Sequence, residues 1–220
     1  MMSRIIELSD FECRMISIFA EETAKTQQAI EFGQKKSKPR GVKEIARDTQ
    51  IGKMAEVGVA KMLKSDFGLH LPINYEIYPA GECDDNDITI NNWTIDIKST
   101  RNGRWLLFER SKMAYRQRSG TLPDMIIMCR TPWDEDTDSP KSKSVELVGC
   151  VVTQRLIKGG RGVHRIKAGD CLPGTKCRLL TDNYAVRFDD LDDVDSLKGY
   201  VAYMLKHEPR RQNGSKNQVQ

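Results

Sequence analysis

The stretch DITINNWTIDIK, Asp87 to Lys98, constrains the fold more than any other part of the chain. Ile88 and Ile90 alternate with Asp87 and Thr89, and Ile95 and Ile97 alternate with Thr94, Asp96 and Lys98. Two period-2 strands around Asn91-Asn92 read as a β-hairpin. Asn tolerates left-handed φ, so a two-residue primed turn sets the register: Ile90 faces Trp93, Thr89 faces Thr94, Ile88 faces Ile95 and Asp87 faces Asp96. Asp87, Asp96 and Lys98 then share one face, and Ile88, Ile90, Trp93, Ile95 and Ile97 share the other. Directly opposed Cβ atoms lie about 4.5–5.5 Å apart, where like charges repel. Two converging carboxylates beside one ammonium, with no second cation, make sense if a hard, oxygen-seeking cation such as Mg²⁺ sits between them. The plain alternative is a solvated strand face with a weak ion pair.

Upstream, residues 52–65 carry a helical apolar arc of Ala55, Val59, Met62 and Leu63, with Glu56 at its edge beside Lys53. An ordinary Lys53–Glu56 pair is the structural alternative to a functional Glu56. Gly58 lowers helix propensity there, which predicts close backbone packing. Glu56 in GKMAEVGVAKML, then Asp87, then Asp96-Ile97-Lys98, resemble the PD-(D/E)xK nuclease superfamily, which includes many restriction enzymes and DNA-repair nucleases. The resemblance covers roughly residues 52–100. It implies a restriction-endonuclease-like core that hydrolyses DNA phosphodiester bonds with Mg²⁺, for which Mn²⁺ can substitute. By the same resemblance Asp87, Asp96 and the backbone carbonyl of Ile97 hold the metal, Lys98 orients the attacking water, and Glu56 is an auxiliary ligand. Asn86 stands where the family has Pro, which leaves Asp84 and Asp85 as rivals to Asp87.

At 220 residues the chain reads as one α/β domain, a central mixed sheet flanked by helices with an N-terminal helical extension. The expected divisions are 1–50 for the N-terminal helix and basic loop, 51–205 for the core, and 206–220 for a polar, basic, disordered tail. A net charge of +4 does not by itself call for a nucleic-acid partner, so its distribution must decide. Arg101, Arg104, Arg110, Lys112, Arg116 and Arg118 stand against the single acid Glu109, interleaved with Trp105, Phe108 and Tyr115, directly after the proposed metal site. They form the best candidate DNA-contact surface. Lys36, Lys38 and Arg40, in the basic stretch before the Glu56 helix, are a second. No apolar run is long enough to cross a membrane and no signal-peptide core is present, so a soluble cytoplasmic protein is expected, bacterial or phage-encoded by the resemblance. The six cysteines form no CxxC pair, which argues for reduced thiols rather than zinc. Cutting both strands at one site needs two active centres, and a C2 homodimer would supply the second. The rival readings are a catalytically inactive nucleic-acid-binding protein of the same fold, and a nuclease acting on RNA or branched DNA.

Elsewhere, Ser9-x-x-Glu12 predicts a capping box opening a helix to about residue 32, with Phe11, Met15, Ile18 and Phe19 as its apolar stripe. Strands are expected at 74–78, over MIIMC, at 145–153 and at 184–188. Pro123-Asp124 reads as turn chemistry, 131–143 as a loop, KGGRGVHR as a basic Gly-rich turn, and the aspartates of DDLDDVD as the cap of a final helix at 194–205.

Overall fold

The computed structural model describes residues 3–27, 41–79 and 87–209. In chain order the elements are β1 (Arg4–Glu7), α1 (Asp10–Gln27), α2 (Val42–Phe67), β2 (Ile88–Ile90), β3 (Trp93–Thr100), β4 (Trp105–Glu109), α3 (Arg110–Ser119), β5 (Met125–Arg130), β6 (Trp133–Asp134), β7 (Ser139–Pro140), β8 (Ser144–Val152), α4 (Thr153–Lys158), β9 (Val163–Ile166), β10 (Asn183–Arg187) and α5 (Val194–Lys206). The fold is α/β. A five-stranded sheet runs β1-β8-β5-β3-β2, parallel between β3 and β5 and antiparallel elsewhere.

The two faces of this sheet are covered differently. Ile88, Ile90, Ile95 and Ile97 pack with Met54, Ala55, Val59 and Leu63 of α2 and with Leu197 and Val201 of α5. Ile126, Met128, Val148 and Val151 pack instead against Leu106 and Phe108 of β4, Met113 of α3 and Val186 of β10. That second cover is built on a separate antiparallel sheet, β4-β10-β9. Gly58 brings α2 onto β8: a Cβ at that position would lie 3.2 Å from the Cβ of Val145.

The hairpin forms as its pattern dictates. Ile88 pairs with Ile95, Thr89 with Thr94 and Ile90 with Trp93, and Asn91 and Asn92 take φ of 46° and 67°. Pro123-Asp124 is structural, since the Asp124 carboxylate accepts from the Thr94 amide at 2.8 Å and anchors the start of β3. The Ser9–Glu12 capping box forms, and Asp193 caps α5 by accepting from the Ser196 amide at 3.0 Å.

Four expectations are corrected. Of the expected α1 stripe, Met15 and Phe19 are half-buried but Phe11 and Ile18 are exposed, while Ile16, Ala20 and Ala24 are buried, because small residues let α1 lie close to α2. The helix of Glu56 begins at Val42, so the division expected at residue 50 falls inside a continuous helix and places Lys43 and Arg47 on it. Among the described residues, 74–78 pair with no strand, and Asn74 accepts from the Glu76 amide at 2.8 Å in a local turn. The segment at 131–143 contains the β6–β7 hairpin around the buried Trp133. The strand expected at 184–188 forms as β10, in the second sheet.

Candidate metal and nucleic-acid site

Asp96 is only 4% exposed, on the β3 face that the second sheet covers. A carboxylate so deep requires partners, and it has two. Arg116 of α3 donates from one guanidinium nitrogen to Oδ1 at 2.9 Å. The Lys98 Nζ lies 2.6 Å from Oδ2. The lysine is ion-paired with Oδ2, so both oxygens of the buried carboxylate face a cation. Arg116 is itself fixed, since its Nε donates to the Thr121 carbonyl at 3.2 Å. Lys98 remains 41% exposed along its side chain, with its Nζ 5.9 Å from the Phe108 ring centroid.

Asp87 is exposed as a residue, yet its carboxylate turns inward and accepts from the Ile97 amide at 2.5 Å. Burial first, and the Asp96 carboxylate second, push its pKa above the usual carboxylate range, opposed by the Ile97 amide, Lys98 and Lys53. The Asp96 charge thus bears on Asp87. The strand ladder itself stops one pair short, at Ile88 and Ile95.

Glu56 lies on α2, the helix packed on the opposite face of the sheet. It pairs with Lys53 at 2.5 Å, the structural alternative weighed above. Lys53 is nearly buried, donates also to the Asn74 carbonyl at 2.8 Å, and sits 4.8 Å from the Phe19 ring centroid. Its influence reaches Asp87. Among the described residues no three His, Cys, Asp or Glu side chains are grouped to hold a metal. Asp84 and Asp85, the rivals to Asp87, lie outside the described residues, as do Lys36, Lys38 and Arg40.

The basic segment after the hairpin divides. Arg116 turns inward to Asp96, with its side chain 16% exposed. Arg101 pairs with Glu135 at 2.8 Å and Arg110 with Asp182 at 3.3 Å. Arg104, Lys112 and Arg118 are exposed. Phe108 belongs to the core, Trp105 is half-buried against His164, and Tyr115 is exposed.

Sequence reasoning missed the burial of Lys53 and the Arg116–Asp96 pair, which supplies the second cation that the hairpin was expected to lack. Neither has a local signature, because each depends on which elements pack together. No family model, curated protein or solved structure matches the chain.

Proposed function

We propose that the chain is a Mg²⁺-dependent DNA endonuclease with a restriction-endonuclease-like core, and that Asp87, Asp96 and Lys98 form its reactive centre. The observation that carries this reading is the buried Asp96 carboxylate beside an inward-turned Asp87 carboxylate of raised pKa, with a half-exposed lysine 2.6 Å from the Asp96 Oδ2. Oxygen donors of this kind fit Mg²⁺, which takes one or two carboxylates and completes its shell with water and substrate phosphate. Asp87 and Asp96 would hold the ion, with the Ile97 carbonyl as the third protein ligand. Bound Mg²⁺ supplies Lewis-acid polarisation of the scissile phosphate and a water of lowered pKa.

Lys98 faces both Asp96 and solvent, so its ammonium can orient a water and counter charge developing on the phosphate. Arg116 offsets the Asp96 charge from the protein side and holds that carboxylate in place. Glu56 takes no part at Asp96 in this account. It positions Lys53, whose charge bears on Asp87.

A second reading has its own observation: Asp96 is already neutralised by Lys98 and Arg116, as it would be in a binding protein that cuts nothing. Incubating supercoiled plasmid with the purified protein, with Mg²⁺ and with EDTA, separates the two. Mg²⁺-dependent nicked or linear product supports the nuclease, and intact plasmid in both supports the binding protein.

A further inference from the structure

Two stretches far apart in the chain, 101–118 and 155–187, together hold fourteen Lys and Arg against three acids, net +11 in a chain whose total is +4. The fold joins them. β4 comes from the first stretch and β9 and β10 from the second, and they make one antiparallel sheet. α3 follows β4 directly, and its Met113 shares the core under that sheet. The positive charge is thus gathered on one lobe, and the rest of the molecule is net negative.

Arg104, Lys112, Arg118, Arg161, Lys176 and Arg178 are all exposed there, with no acid partner among the described residues. The lobe also abuts the carboxylates, through Arg116 on Asp96 and Phe108 beside Lys98. Its half-buried rings are engaged by the protein itself. Arg110 and Arg165 lie over Tyr184 at 5.7 and 5.9 Å, and His164 packs edge-on to Trp105. That leaves Tyr115 of α3 as the exposed ring among the lobe's described residues, too little for the series of stacking platforms that single-stranded nucleic acid uses, whereas unpaired exposed cations match a phosphate backbone.

We infer that the lobe formed by β4, β9, β10, α3 and the strap between β9 and β10 grips the backbone of duplex DNA and lays it across the Asp87–Asp96 centre. This inference takes its substrate from the nuclease reading, but its test does not need cutting. A short fluorescently labelled DNA duplex is titrated in EDTA at several salt concentrations, followed by anisotropy, with folding of each protein checked by circular dichroism. The triple variant Arg161→Glu, Lys176→Glu, Arg178→Glu is compared with Lys25→Glu, Lys64→Glu, Lys206→Glu, which changes net charge equally but lies outside the lobe.

The lobe variant should lose at least about tenfold in affinity, with a salt dependence shallower by about 0.9 for each phosphate contact removed. The control should stay close to wild type. Equal losses in both variants, or an unchanged salt slope in a folded lobe variant, overturn the inference. So does tighter binding of wild type to a single strand or to RNA than to duplex DNA. Failure of plasmid cutting with this binding pattern intact would sink the nuclease reading alone.

Discussion

Replacing Arg116 by Ala removes one of the two cations that balance a buried carboxylate. The Asp96 side chain is 6% exposed and that of Arg116 16%, with 2.9 Å between the bonded atoms. At an effective dielectric constant of about 20, unit charges about 4 Å apart attract by about 4 kcal/mol. Breaking one partner of a buried pair costs about 3–5 kcal/mol, because the other charge is left desolvated. Lys98 stays at Oδ2, 2.6 Å away and open to solvent, and absorbs part of that cost. The expected loss is therefore about 2–3 kcal/mol, or about 4–12 °C in Tm for a domain of this size. Arg116→Lys should lose less stability, yet more than a conservative exchange would suggest, because an ammonium cannot serve both the Thr121 carbonyl and Asp96.

Mg²⁺ sharpens the test. A ligand of the native state stabilises it in proportion to its affinity. With Arg116 gone, Asp96 is less neutralised, so millimolar Mg²⁺ should raise the Tm of Arg116→Ala more than that of the wild type. The assay is a thermal melt of both proteins in EDTA and in Mg²⁺. Stability of Arg116→Ala within about 0.5 kcal/mol of wild type in EDTA would refute the claim that Asp96 depends on this partner. Mg²⁺ that stabilises only the wild type would refute the competition between the guanidinium and the cation.

Two further perturbations probe the hairpin and the frame beneath it. The raised pKa of Asp87 means that the fold favours its neutral form, so that contribution is complete below the ordinary carboxylate value and is lost as pH rises through the raised one. Asp87→Asn keeps the neutral form throughout, and in EDTA near neutral pH it should match wild type or exceed it by about 0.5–1 kcal/mol, with the gap closing at acid pH and the Mg²⁺ response gone; denaturant melts across pH check this, and a loss of several kcal/mol would mark Asp87 as a structural acceptor for the Ile97 amide. Gly149 lies where a Cβ would come within 2.4 Å of the Asp192 backbone carbonyl, so Gly149→Ala should destabilise by about 2–4 kcal/mol, and an unchanged circular dichroism melt would contradict this packing of β8.

Local patterns proved legible. The Ile alternation and the Asn-Asn turn carry the hairpin register, because a slip of one residue would send every isoleucine to the wrong face. The Ser9–Glu12 box and the Asp193 cap are equally local. What the pattern could not show depends on partners. Counting large apolar side chains pointed to Phe11 and Ile18 on α1, but α2 selected the small face of Ile16, Ala20 and Ala24. β1 went unnoticed because four residues carry little periodicity, and its place comes from pairing with β8. The division of the strands into two sheets, and with it the meeting of Asp96 and Arg116 from elements twenty residues apart, emerges only when β4 leaves the central sheet.

The most direct test of the account is single-turnover cutting of supercoiled plasmid by wild type, Asp96→Asn and Lys98→Ala, at one Mg²⁺ concentration and in EDTA, with all three proteins shown to be folded. The account predicts nicking or linearisation by wild type only with Mg²⁺, and a fall of about a hundredfold or more in each variant. Cutting by either variant at the wild-type rate, or equal cutting by the wild type in EDTA, would contradict it.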